Sequence, residues 1–161
     1  MVEGEELEAI ARRVIDSNRF MTIGTADQEG VPWVSPVWYA HAGYREFYRV
    51  LSPEARHSQN IAARSEMCVV TFDSCAPVGE GQAVYVAAVA GEVDDADLDR
   101  CVGIFSRVSV AQGALERTQE EVRPPAPRRL YRARVSDHWV LDPSGHPVHG
   151  RALDHRARVA L

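Results

Sequence analysis

The sequence predicts an α+β fold in which six to seven antiparallel strands form a barrel flanked by helices. Two observations support this prediction. Short runs rich in β-branched and aromatic residues, separated by turn-forming residues, fill much of the 161-residue chain. Helical periodicity is confined to a few segments that do not alternate regularly with the strands, as a doubly wound nucleotide-binding fold would require. We expect a single domain over residues 1–161, an ordinary length for a domain with its own core.

The first third of the chain predicts one helix and three strands. Apolar residues recur at helical spacing over residues 4–17, which indicates an amphipathic helix within the N-terminal segment 1–18. The three predicted strands are residues 20–25, 31–41 and 46–51. Pro32 and Pro36 fall in the second of them, so we expect that strand to be irregular.

A helix is predicted directly after the third strand. Ser52 is a favoured N-cap residue, and Pro53 suits the first helical position. Glu54 adds an acid in the first turn, where it interacts favourably with the helix dipole. We expect this helix to end near Arg64.

The junction between this strand and this helix is the best local candidate for an anion-binding site. Free backbone N–H groups and the positive end of the helix dipole together suit a phosphate. Arg56 and His57 fall in the first turn or just beyond it, and Arg49 leaves the preceding strand. An alternative stays open, in which Ser52 only caps a helix whose arginine and histidine are solvated.

The rest of the chain predicts four more strands and a helical insertion. The predicted strands are residues 67–73, 83–93, 130–135 and 138–141. Asp94 and Asp95 are expected to cap the first helix of an insertion that spans residues 94–122. A short polar helix is expected at 114–121, and residues 151–161 show no clear pattern.

Charge, hydropathy and cysteine content exclude several classes of function. A net charge of −5 argues against a nucleic-acid partner, and no apolar run is long enough to cross a membrane. The acidic first residues differ from a secretory signal, so we expect a cytoplasmic protein. Three cysteines without CxxC spacing do not predict disulfides or a zinc site. All 18 basic residues are arginines, which excludes Schiff-base chemistry on lysine.

Two further sets of residues could line a pocket together with the candidate anion site at the strand–helix junction. Ser35, Pro36, Val37 and Trp38 form an irregular strand segment whose backbone could lie along the edge of a planar ring. Gln82 precedes the fifth strand, at the predicted mouth of the barrel. The alternative for Trp38 is that its side chain packs in the core.

The C-terminal part offers weaker candidates. From Arg123 onward the chain carries eight arginines and three aspartates. This segment could face an anionic ligand or the acidic part of a partner subunit, or it could be a solvated basic face. His146 and His149 match no metal-ligand spacing, so no metal site is predicted.

The order of these motifs resembles the pyridoxamine 5′-phosphate oxidase-like family of FMN-binding split β-barrels. The segments that carry the resemblance are residues 30–32, 47–50, 56–61, 82–93 and 130–141. The first is the Gly-x-Pro entry to the second strand, and the third occupies the place of a Ser-Arg-Lys helix. The resemblance covers most of the chain after Arg19.

The resemblance implies a homodimer with two FMN sites at the subunit interface. The residues that it assigns to the cofactor are Ser35, Pro36, Val37, Trp38, Arg49, Val50, Ser52, Arg56, His57, Gln82 and Trp139. In this comparison Arg49, Arg56 and His57 would meet the ribityl phosphate, and Gln82 and Trp139 would face the ring system.

The resemblance predicts an FMN-dependent oxidoreductase that acts on a small molecule the sequence does not identify. Ser35 stands where the vitamin B6 oxidase has an arginine, and Ala55 and His57 replace the serine and lysine of the Ser-Arg-Lys motif. These replacements point away from vitamin B6 oxidation. Two alternatives stay open: a reductase using the deazaflavin F420, whose anionic tail could use the arginine-rich segment, and a non-catalytic protein that carries flavin or haem.

Overall fold

A computed structural model describes residues 2–141 and 155–161. Its helices are α1 (Val2–Ser17), α2 (Arg56–Ala63) and α3 (Asp95–Ala111), with a 3-10 turn at Glu120–Val122. Its strands are β1 (Phe20–Ala26), β2 (Pro32–Trp38), β3 (Ala40–Ala42), β4 (Glu46–Leu51), β5 (Glu66–Phe72), β6 (Ala83–Glu92), β7 (Arg129–Leu141) and β8 (Arg156–Val159). Among the described residues, no helix is both long enough and apolar enough to span a bilayer.

The strands form one antiparallel sheet in the order β2-β1-β5-β6-β7-β4-β3. The remaining strand, β8, pairs with the second half of β7, whereas β4 pairs with its first half. The prediction of an α+β antiparallel split barrel with flanking helices is therefore confirmed. The described residues hold eight strands instead of six or seven. The predicted second strand divides into β2 and β3, and β8 comes from the segment that showed no clear pattern.

Tyr39 joins the two edges of this sheet. Trp38 at the end of β2 pairs with β1, whereas Ala40 at the start of β3 pairs with β4 at the opposite edge. Tyr39 is 2% exposed, and its hydroxyl donates to the carbonyl of Ile15 in α1 at 2.6 Å. Burial raises the pKa of its phenol to about 12. One chain segment thus closes the barrel and anchors α1 against it.

Two apolar clusters lie on the two sides of the sheet. The cluster inside the barrel combines inward-facing strand residues with the apolar face of α1 and with Ile61 of α2. The second cluster lies outside, where Leu98, Val102 and Phe105 of α3 pack against β3, β4 and β7. Asp94 caps α3 as predicted, because its carboxylate accepts a hydrogen bond from the backbone N–H of Asp97 at 3.1 Å.

The predicted start of α2 is wrong by about one turn. Residues 52–55 form a tight turn in which the Ser52 hydroxyl accepts from the amide of Glu54 at 3.2 Å. The helix begins at Arg56, and its N-cap is Ala55, which makes no side-chain cap hydrogen bond. Serine competes for nearby backbone groups in this way outside helices, so a good cap residue can form a turn instead.

Two other local predictions also need correction. The predicted strands 130–135 and 138–141 are one continuous strand, β7, because Ser136 is accommodated in a bulge opposite Ala87 and Ala88. The predicted polar helix at 114–121 is an irregular segment that ends in the 3-10 turn. There the Arg117 amide donates to the Ser106 hydroxyl of α3 at 2.8 Å, and this tertiary contact replaces helical bonding.

Ion pairs hold α3 on the barrel. Arg132 of β7 is 6% exposed, and its guanidinium contacts Asp97 of α3 at 2.7 Å and Glu46 of β4 at 3.7 Å. The hydrogen bond from Arg132 holds the pKa of Asp97 below its usual range. A carboxyl group of this kind stabilises the fold above its unfolded-state pKa, and the contribution is lost as the pH falls.

Asp97→Asn should therefore lower the free energy of unfolding at pH 7. The difference from the original protein should shrink as the pH falls below about 4 and on through the lowered pKa of folded Asp97, because the carboxylate is then protonated and its contribution is lost. Asp95→Asn is the matched control, since it removes a charge from the same helical turn but its carboxylate is 86% exposed. Urea titrations at pH 7 and pH 3 measure both effects; equal losses for the two variants would contradict the prediction.

Candidate functional site

The candidate site lies where β2 faces the beginning of α2. Trp33, Ser35 and Val37 share one face of β2, since side chains alternate along a strand. The Ser35 hydroxyl accepts a hydrogen bond from the Trp33 indole N–H at 3.0 Å and lies 3.1 Å from Nδ1 of His57. Two residues that the sequence placed in separate motifs, Ser35 and His57, are therefore in direct contact.

Arg56 forms the exposed side of this site. Its guanidinium lies 4.5 Å from the centre of the Trp33 ring, a cation–π distance, and 3.9 Å from the Asp27 carboxylate. Asp27 belongs to the turn between β1 and β2, where its carboxylate also accepts from the amide of Val31. The turn and the ring thus hold the arginine beside the helix N-terminus.

Arg49 lies beneath α2, inside the barrel. It is fully buried, and its one hydrogen bond to the described residues runs from Nη2 to the sulfur of Met67 at 3.5 Å. Nε and Nη1 have no partner, and no carboxylate of the described residues pairs with this guanidinium. Burial lowers the pKa of Arg49 to about 10. A buried charge without a counter-ion is costly, so this position favours an anion close by.

Two other buried polar atoms at the start of α2 also have no hydrogen-bond partner among the described residues. They are Nε2 of His57 and the hydroxyl of Ser58, the second and third residues of α2. Burial, and secondarily the charge of Arg49, lowers the pKa of His57. The first N–H groups of a helix have no partners within it, and Ala55 provides no cap. The site therefore offers several groups that can donate hydrogen bonds and one carboxylate, that of Asp27, which is paired with Arg56. This composition suits an anion such as phosphate.

Several predicted site residues lie elsewhere. The side chain of Val37 is buried in the barrel core, and Pro36 is exposed on the outer face. Trp38 packs edge-on against Phe105 of α3, and Val50 joins the same outer cluster. Ser52 lies in the turn before α2.

Gln82 and Trp139 lie apart from the Ser35–His57 contact. The Gln82 side-chain oxygen, just before β6, is buried without a partner. Trp139 pairs with Tyr85, in a row that continues across β5 and β1 to Pro36. Four strand spacings separate Trp139 from Pro36, roughly 19 Å along the sheet. Along this side of the sheet, therefore, three strands lie between Trp139 and the segment around Ser35.

The arginines of the C-terminal part are mostly bound within the chain. The five that pair with carboxylates of the described residues are Arg123, Arg129, Arg132, Arg134 and Arg158. This pairing explains most of the local positive charge without a ligand. His146 and His149 lie outside the described residues, so the absence of a metal site there stays a prediction.

The sequence reasoning missed four residues of the site. Trp33 and Asp27 hold Arg56, and Ser58 and Tyr131 lie around Arg49. Trp33 could have been found, because it is two residues before Ser35 on a strand and must share its face. Tyr131 could not, because only the β4–β7 pairing brings it opposite Arg49.

The outer face of the sheet beside this site is apolar and exposed. Phe20 of β1 is 62% exposed, Val34 of β2 66%, Phe72 of β5 46% and Val89 of β6 51%. All four point away from the barrel core, and α3 covers a different part of the sheet. Apolar patches of this kind usually mark a contact surface.

Comparison with known families gives one match, and it covers most of the chain. Residues 7–141 match the family model described as pyridoxamine 5′-phosphate oxidase. No curated protein sequence matches this chain.

Several solved structures share the fold at low sequence identity. A heme binding protein from Mycobacterium smegmatis has a TM-score of 0.68 at 19% identity over 85% of this chain, which spans only 54% of that protein. HutZ, described as a heme storage protein from Vibrio cholerae, has a TM-score of 0.63 at 16% identity, with coverage of 81% and 90%. A structure described as an F420 reductase has a TM-score of 0.56 at 14% identity, with coverage of 81% and 94%.

Arg49→Met should stabilise the protein in the absence of a bound anion. The substitution keeps most of the side-chain volume and removes a buried charge that has no carboxylate partner, so we expect a gain of about 1–4 kcal/mol. Urea unfolding in phosphate-free buffer measures it. Arg107→Met, at an exposed position of α3, is the control and should change stability by less than about 0.5 kcal/mol. A less stable Arg49→Met protein would show that the guanidinium has a partner within the fold.

Proposed function

The chain belongs to the pyridoxamine 5′-phosphate oxidase family, and we propose that it is an FMN-dependent oxidoreductase acting on a small molecule. The observation that carries the proposal is the group of donors at the start of α2. Arg56, His57 and the free amides of the helix would hold the ribityl phosphate, with the charge of Arg49 behind them. Bound FMN would supply hydride transfer at N5 of its ring.

The phosphate site fits FMN because its members are donors with little competing negative charge. Charge-assisted hydrogen bonds to a phosphate satisfy N–H groups that the fold leaves without partners. Asp27 is the nearby carboxylate, and it pairs with the Arg56 guanidinium at 3.9 Å, which would help to orient that group. The backbone of residues 35–38 would flank the ring.

We propose that the FMN sites lie at the interface of a homodimer. The exposed apolar face of β1, β2, β5 and β6 supports this, since it adjoins the Ser35 segment. A two-fold partner would also give a role to Gln82 and Trp139, as ring-facing residues at the site that Ser35 and His57 form in the other subunit. Each site would then combine the phosphate-binding helix of one subunit with the ring-facing residues of its partner.

Haem binding without turnover is the second candidate, because two proteins with this fold are described as binding or storing haem. F420 reduction is less supported. The arginine-rich segment suggested it, and most of those arginines already pair with carboxylates. A cytoplasmic location is part of the proposal, and the exposed free thiols of Cys68 and Cys75 fit a reducing compartment.

The absorption spectrum of the purified protein separates these candidates. We expect the bands of oxidised flavin, and release of FMN on denaturation. A Soret band would support haem, and exclusive binding of F420 in a titration would support the deazaflavin enzyme. Either result would overturn the FMN proposal.

Arg56→Ala should weaken FMN binding by roughly 1.5–3 kcal/mol, the value of a charge-assisted hydrogen bond. Quenching of flavin fluorescence during titration measures the dissociation constant. Arg64→Ala is the matched control, because Arg64 lies at the opposite end of α2 and contacts the carbonyl of Gln28. Unchanged affinity in Arg56→Ala, or equal losses in both variants, would remove Arg56 from the phosphate site.

Val34→Glu and Phe72→Glu should produce monomers that bind FMN poorly. Each places a charge in the exposed apolar face, which would bring like charges together across a two-fold interface. Light scattering after size-exclusion chromatography measures the mass, and the flavin content is read from absorbance. Val110→Glu, on a half-exposed apolar position of α3, is the control and should leave the dimer intact. Dimeric Val34→Glu and Phe72→Glu proteins would place the interface elsewhere.

A further inference from the structure

We infer that Trp33 and Ser35 are positioning residues that hold His57 with its proton on Nε2, so that it meets the anion as a neutral hydrogen-bond donor. The inference deepens the proposed phosphate site and rests on the proposed function only for the identity of the anion. It concerns a chain of hydrogen bonds that begins on the strand β2 and ends at the helix α2.

The donor and acceptor roles in this series of hydrogen bonds follow from Trp33, its first residue. An indole nitrogen can only donate, so the Ser35 hydroxyl accepts from Trp33 at 3.0 Å. The hydroxyl keeps one proton to donate, and Nδ1 of His57 lies 3.1 Å away. If Ser35 donates to Nδ1, then Nδ1 is an acceptor and the ring proton of the neutral histidine must be on Nε2.

The opposite arrangement leaves more groups unsatisfied. If Nδ1 carried the proton, the Ser35 oxygen would accept from both rings, and no group of the described residues would accept the proton of its hydroxyl. Nε2 would then present a lone pair, not a donor, to an anion. With the proton on Nε2, the one group left without a partner is the buried Nε2–H itself. An anion oxygen would complete its bonding.

Charges around His57 keep it neutral at physiological pH. Burial and the nearby Arg49 of β4 both lower its pKa. Arg56, next to it in α2, adds a second positive charge, whereas Asp27 from the β1–β2 turn is paired with Arg56. Tyr131 of β7 is neutral at this pH because its pKa is raised. The histidine therefore contributes a directed hydrogen bond while the two arginines supply the charge.

The tautomer can be measured in the full chain without added flavin. Long-range proton–nitrogen NMR of protein labelled with 15N-histidine at pH 8 distinguishes the two ring nitrogens, and His57→Gln assigns the signal. We expect an unprotonated Nδ1 and a protonated Nε2 for His57. Trp33→Phe, which keeps the ring beneath Arg56, and Ser35→Ala should each give a mixture of tautomers. Ser35→Thr retains the hydroxyl and should restore the original pattern.

Trp38→Phe is the matched control. It removes another indole N–H donor from β2, one that bonds Gln112 on the other face of the strand, and should leave the His57 signals unchanged. Protonation of Nδ1 in the original protein would overturn the inference, as would an unaltered tautomer in Ser35→Ala. A titration with FMN adds a functional readout: Ser35→Ala should raise the dissociation constant roughly two- to tenfold, and Ser35→Thr should reverse the loss.

The two parts of the proposal fail separately. An Nε2-protonated His57 in a protein that binds inorganic phosphate but not FMN would retain the hydrogen-bond chain and remove the flavin function. Tight FMN binding with Nδ1 protonated would retain the function and remove the role of Trp33 and Ser35.

Discussion

The barrel closes through Tyr39, and the position of the candidate site depends on that closure. The chain leaves one edge of the sheet at Trp38 and enters the other at Ala40, so β2 has a fixed position relative to β4. The Tyr39 hydroxyl is bonded to Ile15, which fixes α1 as well. With both edges joined, the Ser35 face of β2 and the Arg49 face of β4 must point to the same interior. The helix α2 packs against β1, β2 and β6, beside the Ser35 face.

The guanidinium of Arg49 is buried in the barrel without a carboxylate partner among the described residues, which is unusual for a protein interior. Protein cores exclude unpaired charges because desolvation costs several kcal/mol. Here the charged group lies beneath a helix whose first residues add more donors and no cap. Such an arrangement costs stability in the free protein, and the proposed anion would offset that cost. A departure from the usual rules of core composition at one place is expected at a functional site.

Much of the fold could be predicted, because it depends on local patterns. The alternation in β5 and β6 and the Asp94 cap of α3 follow from the spacing and type of residues along the chain. The start of α2 could not be predicted in the same way, since Ser52 is equally suited to a turn. Long-range contacts could not be predicted from local patterns either. For example, β8 forms a strand because it pairs with a free edge of β7.

For the site, the sequence named candidate residues but not the arrangement that the fold gives them. The charges around α2 and the Ser35 segment belong to separate stretches, and only the folded barrel shows that Ser35 and His57 touch. The resemblance assigned Val50 to the cofactor together with Arg49, yet strand alternation places the Val50 side chain on the opposite face, in the outer cluster. Native mass spectrometry of the purified protein tests the central claim most directly. It should show a dimer carrying two FMN molecules, whereas a monomer, or a dimer whose bound mass is haem, F420 or nothing, would contradict the claim.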